Sequence, residues 1–360
     1  VFDHNRIVVV WCSCLPLEAL HNTSYFSHFI LAFVLCKSLY YTHLLNGNLE
    51  SFFMGQQDQQ NHQSGSSIKV DILQDLNWLM QSQPLMLATS DVAIFRPQDI
   101  DEALTYLPTN PPTCISSCTY TYPAQPAYRL GKHFEDCVDR LFESSTANNI
   151  IARNIVIQTS ERTIGELDLI YQDSSSETIH LELAIKFYLL KKRGTQLTDF
   201  IGPAGHDRLD LKWDRLRQHQ LPLSKTAQVT DFLQQQSISL PTRRQLLLTG
   251  ILFYAYENWQ STIVEGIGLN PQHQRGWWLE HNELAQLETT SQQQRGFIIL
   301  PKWHWIGGPR HYNEPQLIDY NELILRTTAD LWPNMVLMYE RADANEPWAC
   351  KSRGLILATQ

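Results

Sequence analysis

The sequence predicts an α/β protein whose centre is the succession helix, three strands, helix, strand. Three observations carry that expectation. Residues 128–145 repeat apolar side chains at helical spacing, residues 148–188 hold three strand-like runs, and residues 206–256 supply a second helix and then a buried strand. With 360 residues, 43% of them hydrophobic and 18% charged, the chain has apolar surface for a substantial core. Its length suits two domains, or one domain with additions.

The elements follow in order. The chain opens on RIVVVWCSCLPL (6–17) and YFSHFILAFVLCKSLYYTHLL (25–45). The second run has the length to cross a bilayer, but His28, Lys37 and His43 interrupt it at a cost, and it lacks the cleavage site of a secretory signal. The expectation is a native start at Met54 followed by a polar, disordered leader, GQQDQQNHQSGSS (55–67), with a membrane anchor as the alternative. Residues 1–67 are set apart on this ground. From Ile68 the pattern changes. IKVDILQDLNWLMQSQPLM (68–86) spaces Ile72, Leu73, Leu76, Trp78, Leu79 and Leu85 for a helix ending near Pro84. Asp91 to Tyr106 suits another short helix, and TNPPTCISSCTYTYPAQP (109–126) reads as a Pro- and Ser-rich loop. Residues 68–126 are therefore expected as a helical N-terminal region.

The core is expected over 127–258. In YRLGKHFEDCVDRLFESS (128–145), Leu130, Phe134, Cys137, Val138 and Leu141 form one apolar stripe, and Glu135 stands at its edge, about 100° round from the centre. NNIIARNIVIQT (148–159) reads as a strand. HDRLDLKWDRLRQHQL (206–221) reads as a helix ending before Pro222, and Leu246 to Tyr256 as a buried strand. Residues 259–360, with RGWWLE (275–280) and PKWHWIGGPRHYN (301–313), are expected as a mixed α/β extension. Trp277, Trp278, Trp303 and Trp305 there suit core aromatics, with base stacking as the rival reading.

The chemistry centres on GELDLIYQDSSSETIHLELAIK (165–186). Strand alternation puts Glu166 and Asp168 on one side of the second strand, and Glu182, Ala184, Lys186 and Tyr188 on one side of the third. A hairpin across QDSSSE (172–177) brings the acidic faces together. Neighbouring carboxylates repel, so they call for a proton or a cation between them; Mg²⁺ suits carboxylate oxygens and phosphate. A solvated hairpin face is the alternative, with Glu182 paired to Lys186, Glu135 a helix-surface acid and Glu166 a partner for Arg162.

Charge bounds the partners. A net charge of −9 argues against indiscriminate nucleic-acid binding, yet Lys186 to Arg217 carries eight Lys or Arg against four Asp, a local +4. Lys191, Lys192, Arg193, Arg208, Lys212 and Arg215 are the candidate phosphate contacts. Arg208, Lys212, Arg215 and His219 fall within about a 60° arc of a regular helix. The seven cysteines lack zinc-finger spacing and read as thiols in a reducing compartment. No Walker loop, strand-linked GxGxxG, HExxH or nucleophile elbow is present.

LGKHFED (130–136), IIARNIVIQ (150–158), RTIGELDLIY (162–171) and HLELAIKFY (180–188) resemble the PD-(D/E)XK nuclease superfamily, in the branch whose second strand reads GE-x-D. HLELAIKFYLL (180–190), FIGPAGHDRLDLKWDRLRQHQLPLS (200–224) and TGILFYA (249–255) resemble an uncharacterised bacterial family, domain of unknown function 1853, over Ile68 to the C-terminus. The resemblance implies a restriction-endonuclease-like αβββαβ core and phosphodiester hydrolysis of nucleic acid with Mg²⁺ or Mn²⁺; DNA is expected ahead of RNA, and the reducing compartment read from the cysteines is the cytoplasm. By position it makes Asp168, Glu182 and Glu135 metal ligands and catalytic acids, and Lys186 the catalytic lysine. One departure is plain: the superfamily sets its strand-three acid two residues before the lysine, where this chain has Ala184. Glu182 and Lys186 are then roughly 13 Å apart between Cα atoms in an extended strand, a gap that a β-bulge would narrow. A nuclease fold that binds or scaffolds nucleic acid without cleaving it is the second expectation.

Overall fold

The computed structural model describes residues 68–100, 119–122, 130–145, 147–158, 162–288, 294–307, 317–328, 330 and 332–358. The chain divides into two units, the second of residues 69–122 with 128–360. The expectations for residues 1–67 lie outside the described residues. No helix among the described residues is long and apolar enough to cross a membrane.

The second unit is a mixed α/β structure. In chain order it comprises β1 (Ile68–Asp71), α1 (Ile72–Gln81), β2 (Ala93–Ile94), β3 (Thr119–Tyr122), α2 (Leu130–Glu143), β4 (Asn149–Gln158), β5 (Thr163–Gln172), β6 (Thr178–Leu190) and β7 (Phe200–Ile201). After these come α3 (Leu209–Arg215), a π-helical turn (Leu216–Gln220), α4 (Leu221–Leu223), α5 (Ala227–Gln235), β8 (Arg243–Ala255), β9 (Gln274–Glu280), β10 (Gln294–Leu300), α6 (Tyr320–Thr328), β11 (Asn334–Arg341) and β12 (Ala349–Leu357). The expected helix, three strands, helix, strand order appears as α2, β4, β5, β6, α3 and β8.

Ten strands make one sheet, ordered β10-β11-β12-β9-β8-β6-β5-β4, with β2 beside β8 and β7 beside β6. The C-terminal residues thus continue the core's own sheet. β6 and β8 run parallel at its centre, in unbroken register from Ile179↔Arg243 to Leu189↔Phe253. Both faces of this pair are covered, which explains why the two strands read as nearly continuous apolar runs. Alternation holds as expected. Leu181, Leu183, Ile185 and Phe187 pack on one face with Leu79 of α1 and Phe134, Val138 and Leu141 of α2. Ala184, Tyr188 and Leu190 pack on the other with Leu209, Trp213 and Leu216. At Gly250, opposite Lys186, φ is +141° and an added Cβ would lie 1.7 Å from the Lys186 carbonyl oxygen, so only glycine permits this close pairing.

Three expectations change. In place of a short helix within 91–106, Ala93 and Ile94 form β2 and Pro97–Asp99 a 3₁₀ turn; residues 101–118 lie outside the described ones. The cause is tertiary, because β2 fills the place beside Gln245 and Leu246 that β9, pairing only from Ile251 onward, leaves open. Within the predicted loop of 109–126, TYTY (119–122) is β3, paired with β1; its alternating β-branched and aromatic residues favour a strand. The helix predicted to stop before Pro222 runs through it. A π turn precedes the proline, with the Leu221 N–H donating to the Leu216 carbonyl, and the widened turn accommodates a residue that lacks an N–H.

Candidate functional site

β5 and β6 are hydrogen-bonded only from Leu169↔Leu181 to Gln172↔Thr178, and past that point they fork. Asp168 stands at the fork. Its Oδ2 accepts from the Leu183 N–H at 2.7 Å, so a side chain takes over a backbone bond that the parting strand has given up. Glu182 is fully buried beside it and accepts on both oxygens: Oε1 pairs with His180 Nε2 at 2.8 Å, and Oε2 accepts from Gln220 Nε2 at 2.9 Å. His180 is tied in turn to the Ser224 hydroxyl at 3.0 Å through Nδ1.

The electrostatics follow from that crowding. Burial, then the charge of Glu182, pushes the Asp168 carboxyl up to about 8, and Glu135 and Glu166 add to the rise. Burial pushes Glu182 up to about 7 against the opposing pull of Lys212, with Glu166 again raising it. The Asp168 carboxyl lies close enough to hydrogen-bond Glu182, so at neutral pH the pair shares a proton unless a cation replaces it. Burial pushes His180 down to about 4, which keeps the imidazole neutral.

Of the two nearby lysines, Lys212 acts on the pair and Lys186 is engaged by Asp207. Lys186 Nζ donates to Asp207 Oδ2 at 2.6 Å, and the Tyr188 hydroxyl meets the same oxygen at 3.3 Å. Lys212 reaches from α3 and donates to Gln220 Oε1 at 3.3 Å. Burial and the neighbouring charge of Lys186 lower its pKa, while Asp168 and Glu182 raise it. Helix phase explains the Lys212–Gln220 contact. Residues eight apart on a regular helix are about 80° out of line, whereas one extra residue in a π turn brings them within about 20°. The same turn takes His219 out of the predicted basic stripe. Arg208 caps α3 from outside and grips Asp210 through Nε and Nη2, and His219 falls inside the π turn, so the regular 100° step fails.

The remaining predicted residues are placed as follows. Glu135, from α2, accepts from Lys132 Nζ at 3.2 Å and Asn154 Nδ2 at 3.0 Å. Its charge registers on Asp168, but Glu135, Asp168 and Glu182 do not form a trio whose ligand atoms all lie within 4.8 Å of one another. Glu166 is exposed. Lys191 pairs with Glu280 at 2.7 Å and lies 3.8 Å over the Trp278 ring. Lys192, Arg193 and Arg215 are exposed. Trp277 and Trp305 are buried core aromatics and Trp278 is half-buried. β6 carries no bulge between Glu182 and Lys186, so no bulge narrows that gap. Ala184 is buried among the residues of the α3 face and leaves no room for an acid.

Sequence reasoning missed four residues. His180 precedes Glu182 by two and shares its strand face, so alternation alone marks it. Asn154, between Arg153 and Ile155, stands across β4 from Asp168 at φ +50°, a conformation Asn tolerates better than most; no sequence pattern signals it. Gln220 and Asp207 arrive through the π turn and the loop before α3, and neither is visible in local periodicity.

The fold and this site define a mixed α/β protein with two crowded carboxylates, one buried and one half-buried, where its central sheet forks. The chain belongs to the family described as domain of unknown function (DUF1853), whose profile matches residues 74–357. No curated protein and no solved structure matches it.

Proposed function

We propose that this protein is a divalent-cation-dependent nuclease with a restriction-endonuclease-like core, hydrolysing phosphodiester bonds in DNA. One observation carries the reading: Asp168 and Glu182, drawn together at the fork, are both held well above their ordinary pKa by burial, and the charge of Glu182 adds to the rise at Asp168. Such a pair is short of positive charge, and Mg²⁺ or Mn²⁺ matches both the deficit and the oxygen donors. The Glu182 oxygens keep a second lone pair each beyond their bonds to His180 and Gln220, so the donor set fits the ion. When bound, the cation supplies Lewis-acid polarisation of a phosphoryl oxygen.

The chain's own residues do the rest. His180 and Gln220 fix the Glu182 carboxylate, and the Leu183 N–H fixes that of Asp168. Lys212 and Lys186 place positive charge where negative charge grows in the transition state. Exposed Lys192, Arg193 and Arg215 offer phosphate contacts along a strand. Topology supports the same reading, since the αβββαβ order with parallel β6 and β8 is what the superfamily resemblance implies.

A second reading is a nuclease fold that binds nucleic acid without cutting it. It is favoured by the acid-less Ala184 and by the engagement of Lys186 with Asp207. The full chain, incubated with labelled single-stranded, duplex and branched DNA and with RNA in Mg²⁺ or Mn²⁺, separates the two. Metal-dependent cleavage abolished by Asp168→Ala, but not by a change at exposed Asp231, supports the enzyme. Binding with no cleavage in either metal supports the second reading.

A further inference from the structure

We propose that Asp75, His133 and Cys137 form a second, structural site for a zinc-class transition metal, separate from the acidic pair and independent of the nuclease reading. These three side chains are buried, and among the described residues they alone bring three ligand-type atoms within 4.8 Å of one another. His133 Nε2 lies 2.8 Å from Asp75 Oδ2 and 3.9 Å from Cys137 Sγ. Tetrahedral zinc with ordinary bond lengths sets N···O and N···S separations of roughly 3.3 and 3.6 Å, so the two contacts of His133 need shifts of about half an ångström or less, and the carboxylate and the thiol already lie within 4.8 Å of each other.

The sequence builds the site from two elements. His133 and Cys137 are one helical turn apart on α2 and so share a face, the spacing by which a helix offers two ligands to one ion. Asp75 comes from α1, and a metal here would staple α1 to α2 beneath the sheet. A third segment fixes the carboxylate from behind. Gly307 has φ +74°, and a Cβ there would lie 2.4 Å from Asp75 Oδ1, so the backbone presses directly on that oxygen. Buried Arg353 holds this segment by donating to the carbonyls of Trp305 and Gly307.

Chemistry selects the ion. A thiolate and an imidazole are soft and borderline donors that favour zinc over magnesium, while one thiolate and one carboxylate meet its two positive charges. Binding forms the metal–sulfur bond and releases the thiol proton to solvent, and a water can take the fourth position.

The test uses the full chain purified without chelator. Elemental analysis is expected to find about one zinc per chain. Exchange with Co²⁺ is expected to give a thiolate-to-cobalt charge-transfer band, lost in Cys137→Ser, together with tetrahedral d–d intensity. Asp168→Asn should keep both the zinc and the band, which separates this site from the acidic pair whatever the fate of the nuclease reading. Cys137→Ala guards against misfolding: it removes the band while circular dichroism stays native. Folded wild-type protein that takes up neither ion, or a cobalt spectrum without the sulfur band, overturns the proposal and leaves a metal-free hydrogen-bonded cluster.

Discussion

Removing the charge of Asp168 should change how the protein's stability depends on pH. Asp168 titrates at about 8 and Glu182 at about 7 in the folded chain, against ordinary values of 3.8 and 4.5. Between these values the native state holds protons that the unfolded chain has released. Stability is therefore fully present at low pH and is lost as pH rises through 7 and 8. Buried His180 and His273, both pushed down to about 4, act oppositely below 6.5, where the unfolded chain takes up protons that the native state refuses. The window from pH 6.5 to 8 is thus the one in which the acids dominate. One retained proton across about 1.5 pH units is worth about 2 kcal/mol, and solvent reaching half-buried Asp168 trims this to about 1–2 kcal/mol. Urea unfolding in chelator at both pH values measures it. Wild-type protein should lose about 1–2 kcal/mol, and Asp168→Asn should lose about half as much, because the shared proton and the repulsion go together. Saturating Mn²⁺ should recover the loss in wild type only. Equal losses in the two proteins, or a wild-type stability that does not fall, would refute the assignment of a crowded acidic pair.

Gly250→Ala forces a Cβ against the Lys186 carbonyl and a side chain into φ +141°; denaturation should show a loss of about 3 kcal/mol or more, or no soluble protein. His180→Ala strips Glu182 of its imidazole partner and opens a fully buried cavity, costing about 2–4 kcal/mol in the same assay. Ala184→Glu, which writes the superfamily's acid back in, should destabilise by about 3 kcal/mol or more and raise no cleavage, since the position is filled by core. Lys212→Met should lower cleavage by about 100-fold or more without changing substrate affinity, whereas Arg215→Ala should reduce the salt slope of binding by about one and leave the cleavage rate alone.

Much of this protein is legible in the sequence because it is local. The stripe Phe134, Val138 and Leu141 dictates α2, and the alternation of LELAIKFY dictates which side chains of β6 face α2 and which face α3. The same alternation gathers Asp168 and Glu182 on one side, as hairpin pairing across 172–177 requires. Periodicity fails where geometry departs from the regular step. The π turn at Leu216–Gln220 rephases the helix, so a stripe reckoned at 100° per residue lost His219, while Gln220 and Lys212 met over Glu182.

The sequence by itself determined the kinds of element, their order, and the carboxylates and lysines available to a site. Only the tertiary structure decided where β5 and β6 part, that Lys186 turns to Asp207 while Lys212 comes in from α3, and that the C-terminal strands join the core sheet. Periodicity is a property of neighbours along the chain. The fork, the ion pairs and the raised acids arise from groups brought together across it, where burial and charge act through space.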